Sequence, residues 1–359
     1  MLRIPDHIAA LSPYVPGKPV DELERELGIK NSIKLASNEN PLGPSPLAVQ
    51  ALGKEVMHGL NRYPDGGAFY LRTALGKHLG VAPECVILGN GSNELLDIAV
   101  KTFMQPGDEA VMAWPSFVVY PMAVQAQGCT GVRVPLVDLR HDLQAMADAI
   151  TDKTRIVFIA NPNNPTGTIN SAREFDAFMK RVPEGVLVVV DEAYFEYVDA
   201  PDYADSMLHF RDGRDILILR TFSKAYGLAG LRIGYGVSRP EVLAAMNRIR
   251  EPFNTSTPAQ AAALAALDDR GHLDKSRKAN AEGRAFLAGE LKDLGLAPAP
   301  TQANFVFIPL GAGRDAGEMY NALLRQGVIV RPMGPEALRV TIGTMAENRA
   351  FIAALKKIL

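Results

Sequence analysis

Between residues 86 and 237, six short runs of β-branched and aliphatic residues alternate with longer amphipathic stretches, and no other feature limits the possible folds as strongly. The runs cover residues 86–88, 110–113, 155–160, 186–190, 216–219 and 233–237. Val186-Leu187-Val188-Val189-Val190 has no polar side, so a strand built from it must be covered on both faces. Stretches with helical spacing lie between the runs, at 93–104, 142–150 and 171–181. Strand and helix in repeated alternation predict an α/β domain whose mainly parallel sheet is sandwiched by helices.

The last third of the chain changes character. Residues 257–267 are alanine-rich and helical, and 273–294 have the spacing of a long amphipathic helix. Strands are expected near 305–308, 328–331 and 338–342, with a closing helix over 347–358. That order predicts a smaller α+β C-terminal domain. The first forty residues hold several prolines and one short helical stretch, 20–27, which suits an arm and a crossing segment. The expected division is an arm over 1–40, a large domain over 41–248 and a small domain over 249–359. A chain of 359 residues is too long for a single comfortable core.

Charge and composition exclude several roles. Lys and Arg total 38 against 40 Asp and Glu, and no dense basic run occurs, which argues against nucleic acid as a partner. The purest apolar run, 186–190, is far too short to span a bilayer, and the N-terminus lacks the basic-then-apolar pattern of a secretion signal. Cys85 and Cys129 are distant in sequence and the six histidines are scattered, so neither a disulfide framework nor a metal site is expected. The reducing cytoplasm is the expected location.

In open α/β sheets, ligands bind beyond the carboxyl ends of the strands. Four polar clusters follow predicted strands. Gly89-Asn90-Gly91-Ser92-Asn93-Glu94 precedes a helix, where free N–H groups and the helix dipole favour an anion; alone, it reads equally well as a tight turn with a helix cap. Asn161-Pro162-Asn163-Asn164-Pro165-Thr166-Gly167 is an irregular turn in which Asn164 offers an amide. Asp191-Glu192-Ala193-Tyr194 ends the most apolar strand, and a carboxylate there needs a cap, an ion pair or a cationic ligand. Thr221-Phe222-Ser223-Lys224-Ala225-Tyr226-Gly227 surrounds one lysine with apolar neighbours, and Arg232 follows eight residues later. Partial burial of Lys224 would lower its pKa and free the amine as a nucleophile.

One chemical demand accounts for all four. Pyridoxal phosphate needs an amine for its aldehyde, an anion for its pyridinium nitrogen and a cradle for its phosphate. Lys224, Asp191, and the Gly91-Ser92-Asn93 turn with Ser223 and Arg232 are candidates for these places.

With these motifs in hand, the sequence resembles the fold-type-I aminotransferases and most closely the histidinol-phosphate aminotransferase family. The likeness also rests on Leu35-Ala36-Ser37-Asn38-Glu39-Asn40-Pro41, Arg62-Tyr63-Pro64-Asp65-Gly66, and the segments 327–331 and 338–343. The resemblance implies a pyridoxal-phosphate-dependent transaminase that exchanges an amino group between L-histidinol phosphate and 2-oxoglutarate in histidine biosynthesis. Lys224 would carry the cofactor as an imine and move the proton between Cα and C4′. Asp191 would keep the ring nitrogen protonated, Asn164 and Tyr194 would bond the ring hydroxyl, and Phe117 would stack on the ring. Gly91, Ser92, Asn93, Ser223 and Arg232 would hold the phosphate. Tyr63 would reach that phosphate from the neighbouring subunit of a homodimer.

For the substrate, the resemblance points to Arg331 and Arg339, expected at strand ends, with Arg339 taking carboxylate or phosphate in alternate half-reactions. Tyr14 would help to enclose the substrate, and Asn304 sits in a segment typical of the family. The link from Pro332 to Ala337 is short, which would reshape the substrate end of the pocket. Aromatic amino-acid aminotransferases and threonine-phosphate decarboxylases share this cofactor logic and stay open as alternatives. A regulator with an aminotransferase-like domain is disfavoured, since the resemblance begins by Leu11 and the charge is slightly acidic.

Overall fold

The computed structural model describes residues 2–359, apart from the side chain of His58. Its strands, in chain order, are β1 Ile33–Lys34, β2 Val86–Gly89, β3 Glu109–Trp114, β4 Thr130–Pro135, β5 Thr154–Ala160, β6 Leu187–Asp191, β7 Ile216–Thr221, β8 Gly234–Val237, β9 Phe305–Pro309, β10 Val328–Ile329, β11 Arg331–Pro332 and β12 Ala337–Thr341. Seven of them form the large sheet in the order β2-β8-β7-β6-β5-β3-β4. Within it β8 alone runs antiparallel to its neighbours. Residues 222–233, which connect β7 to β8, hold only the short 3-10 turn Ala229–Leu231. Lacking a crossover helix, the chain turns back on itself instead of returning parallel.

The apolar run that ends at Asp191 behaves as its sequence requires. Val188 and Val190 point into one hydrophobic layer while Leu187 and Val189 point into the other. Each such side chain contributes on the order of 1.5–3 kcal/mol by leaving water. The helices Ser92–Phe103, Val119–Ala126 and Pro240–Met246 supply the second layer. The first is closed by Phe69–Leu79, Ala172–Met179 and Thr257–Asp268. Residues 257–267, assigned from sequence to the C-terminal part, thus pack Ala259, Ala262, Ala263 and Ala266 into the large sheet's layer. Small side chains on that face let the helix lie close to Pro46–His58.

A second, three-stranded sheet is antiparallel throughout, in the order β11-β12-β9. It packs on Leu287 and Leu291 of Arg270–Asp293 and on Phe351 and Ile352 of Met345–Lys356. The expected strand over 328–331 breaks at Val330 into β10, which pairs with β1, and β11, which pairs with β12. Leu35 locks the crossing segment in place. Its N–H donates to Ile329 O (2.7 Å) and its carbonyl accepts from Thr341 N–H (2.8 Å). Residues 36–40 are thereby held at the carboxyl edge of the large sheet, where the polar clusters meet.

Candidate active site

A cavity of about 290 Å³ opens at that edge and is lined from both sheets and from the crossing segment. Of the residues expected to contact a cofactor, Gly91, Ser92, Asn93, Phe117, Asn164, Asp191, Tyr194, Ser223, Lys224 and Arg232 all line it; Tyr63 does not.

The turn before helix Ser92–Phe103 forms one end. Gly91 has φ +72°, and a Cβ there would stand 2.5 Å from Arg232 Nη2, so glycine leaves open a space that a side chain would fill. Gly91 N–H donates to Arg232 O (2.9 Å), and Arg232 Nη1 donates to Ser223 Oγ (3.3 Å). The helix has no side-chain cap at its start. Uncapped N–H groups and a guanidinium facing the same space suit a phosphate.

Asp191 closes β6 at the opposite end and is buried. Its Oδ2 accepts from the Tyr120 hydroxyl (2.8 Å) and its Oδ1 from Ala193 N–H (3.2 Å). Burial pushes the carboxyl above the ordinary carboxylate value, against the pull of the Tyr120 bond. A cation placed beside it would restore the ionised form. Glu192 serves the fold instead. It ion-pairs with buried Arg220 at 2.8 Å and accepts from Ser206 Oγ at 2.6 Å, so adjacent carboxylates have separate duties.

Lys224 lies between these ends, half-buried, with Nζ donating to Ser37 O at 3.2 Å. Burial first, and the charge of Arg339 second, lower its pKa from 10.5 to about 8. About a tenth of the amine is therefore unprotonated at pH 7, far more than an ordinary lysine would show. The Tyr194 hydroxyl accepts from Asn38 Nδ2 at 3.0 Å. Phe117 stands in the turn before helix Val119–Ala126, half-buried, with its ring edge-on to Tyr120 at 5.6 Å.

The substrate end differs from expectation in one respect. Arg331 begins β11, but Arg339 is the central residue of β12, not a strand end. The two are register partners across the antiparallel pair, so both side chains leave the same face of the sheet and both line the cavity. Like charges directly opposite one another are unfavourable without an anion between them. Arg339 donates to Asn164 Oδ1 (2.6 Å) and Ala36 O (2.7 Å), while its buried Nε has no partner among the described residues. Arg331 donates to Val15 O at 2.8 Å and lies over the ring of Tyr14, which also lines the cavity.

Two expected residues lie outside the cavity wall. Asn304 is buried behind it, donating to Asn38 O at 3.0 Å, so it braces the crossing segment. Tyr63 is 82% exposed and stacks on Phe253 at 4.7 Å. Conversely, sequence reasoning missed Tyr120, Asn38 and Met333. Met333 enters the cavity from the short link between β11 and β12, which Gly334 turns at φ +68°. Its only signal in the sequence was the brevity of that link.

Residues 30–355 match the family described as aminotransferase class I and II, and the chain belongs to that family. Among relatives, the histidinol-phosphate aminotransferase of Moorella thermoacetica is 53% identical, the match covering 98% of this chain and 92% of that protein. The protein of the same description from Anaeromyxobacter sp. is 49% identical over the full length of both. A crystal structure of the Sinorhizobium meliloti histidinol-phosphate aminotransferase in complex with pyridoxal-5'-phosphate is similar at a TM-score of 0.91, with 31% identity and coverage of 100% of this chain and 99% of that one.

Proposed function

We propose that this protein is a transaminase that moves the amino group of histidinol phosphate to 2-oxoglutarate, working with pyridoxal phosphate held on Lys224. The observation that carries this reading is the register pairing of Arg331 with Arg339 over a cavity that also holds Lys224 and Asp191. Two guanidinium groups on one face suit a phosphate dianion, and one suffices for a carboxylate. The names of the full-length relatives agree with that chemistry.

The cavity suits the cofactor at both ends: a glycine-bared cradle beside Arg232, and a buried carboxylate in want of a cation. When bound, pyridoxal phosphate supplies an electron sink for charge developing at the substrate Cα. Gly91, Ser92, Asn93, Ser223 and Arg232 would hold its phosphate. Asp191 would keep the ring nitrogen protonated, Phe117 would cover the ring face, and Asn164 and Tyr194 would bond the ring hydroxyl. Asn164 Oδ1 already accepts from Arg339, leaving its amide N–H groups for that task. With its pKa lowered to about 8, Lys224 Nζ would take the proton from the substrate Cα and hold it for return. Arg331 and Arg339 orient the substrate phosphate in one half-reaction, and Arg339 the dicarboxylate in the other. Tyr14 and Met333 would shut out water.

We place the site at the meeting of the 41–248 and 249–359 parts of the chain, crossed by the arm. Tyr63 stacks on Phe253 as an exposed aromatic pair, and Leu60, Phe69 and Tyr70 are exposed as well, which supports a homodimer in which Tyr63 reaches the partner's phosphate cradle. No helix among the described residues is long and apolar enough to cross a membrane. A biosynthetic reaction on small polar metabolites suits the cytoplasm.

The test is a steady-state assay of purified protein. Histidinol phosphate with 2-oxoglutarate should yield glutamate without CO₂. Release of CO₂ from threonine phosphate, or a clear preference for aromatic amino acids, would overturn the substrate assignment.

A further inference from the structure

Two turns contribute to the cavity wall: the one after β3, through Ser116 and Phe117, and the one after β5, through Pro162 and Asn164. Asn163 joins them. It is 1% exposed and does not line the cavity, although Pro162 and Asn164 on either side of it do. Its Nδ2 donates to Pro115 O (3.3 Å) and Thr166 Oγ1 (2.9 Å). Its Oδ1 accepts from Ser116 Oγ (2.7 Å) and lies 3.1 Å from His141 Nε2.

These contacts determine each other. A backbone carbonyl can only accept, so Pro115 O fixes which side of the Asn163 amide faces it. Oδ1 then faces His141, and the imidazole must carry its proton on Nε2. His141 Nδ1 is left buried without a partner among the described residues. Burial keeps the ring neutral, with a pKa of about 4, so the donor is in place at any working pH. A stranded buried nitrogen is unfavourable, and the bond made by the other nitrogen offsets it. Asn170 fixes the ring's backbone, donating to His141 O at 2.9 Å.

We propose that Asn163, held by His141 and Ser116, is a positioning residue that fixes the spacing between Phe117, over the face of the cofactor ring, and Asn164, beside the ring hydroxyl. This rests on the assignment of Phe117 and Asn164 to the ring.

Three variants of the holoenzyme test it. His141→Leu removes the imidazole donor, His141→Gln returns an amide donor, and Ser116→Ala removes the hydroxyl donor with little disturbance of packing. The readouts are visible circular dichroism per bound cofactor, the cofactor dissociation constant after reloading, and kcat and KM separately. His141→Leu and Ser116→Ala should each lower the ellipticity and weaken cofactor binding about fivefold, the worth of one hydrogen bond. Both should lower kcat more than they raise KM, and His141→Gln should recover to within about twofold of wild type. Should His141→Leu fail to fold, Ser116→Ala decides the question alone. Phe117→Leu and Asn164→Ala serve as references; if neither alters the ellipticity, the assignment of the ring contacts is wrong. If they alter it while Ser116→Ala and foldable His141→Leu do not, or if His141→Gln is no better than His141→Leu, the positioning role is overturned.

Discussion

Replacing Lys224 by methionine should abolish turnover and yet stabilise the cofactor-free protein at neutral pH. The amine is lowered from 10.5 to about 8, chiefly by burial. A folded pKa below the unfolded one means that the unfolded chain binds more protons between those values, so wild-type stability rises with pH across that window. Below about pH 8 the buried cation carries its full penalty, and the gap in pKa corresponds to about 3 kcal/mol. Methionine keeps an unbranched side chain one atom shorter, loses the weak bond to Ser37 O and removes that penalty. Urea unfolding of cofactor-free protein should therefore show the variant more stable by up to about 3 kcal/mol near pH 7, with the advantage roughly halved near pH 9.5. A variant less stable than wild type at neutral pH, or an advantage that does not shrink with pH, would refute the electrostatic account of Lys224.

Three further outcomes follow from the site. Tyr120→Phe should lower kcat/KM about tenfold with little change in substrate KM, because Asp191 loses its only side-chain donor in the described structure; stopped-flow and steady-state kinetics would show it. Gly91→Ala should raise the cofactor dissociation constant at least about tenfold, since the new Cβ meets Arg232 and φ is +72°, and fluorescence titration of the cofactor-free protein measures this. Arg331→Ala should cut kcat/KM for histidinol phosphate by about 30-fold and for glutamate by much less, whereas Arg339→Ala should damage both, as expected for charge-assisted bonds shared unequally; equal losses for both substrates in both variants would contradict the division of labour.

The sequence was most legible where burial is two-sided. Residues 186–190 suited a strand covered on both faces, and a carboxylate at its end needed a cap, an ion pair or a cationic ligand; both readings depend only on local composition. Tyr120 was hidden because its partner Asp191 is 71 residues away and because Pro121 disguises helix Val119–Ala126. Strand β4 escaped notice as an edge strand whose Gly131, Arg133 and Pro135 break the apolar pattern. The alanine-rich helix Thr257–Asp268 was visible as a helix, but a uniformly small-sided surface carries no mark of which sheet it covers. Arg339 was found as a residue and misplaced within its strand, since a strand's end depends on the pairing with Phe307 and Arg331 rather than on the sequence of β12 alone.

The most direct measurement is borohydride reduction of the holoenzyme followed by peptide mapping, because it fixes the cofactor to whichever amine holds it. The proposed chemistry predicts a single cofactor-bearing peptide with the added mass on Lys224, and none in Lys224→Met. Attachment at another lysine, or an unmodified Lys224 in protein that still transfers amino groups, would contradict it.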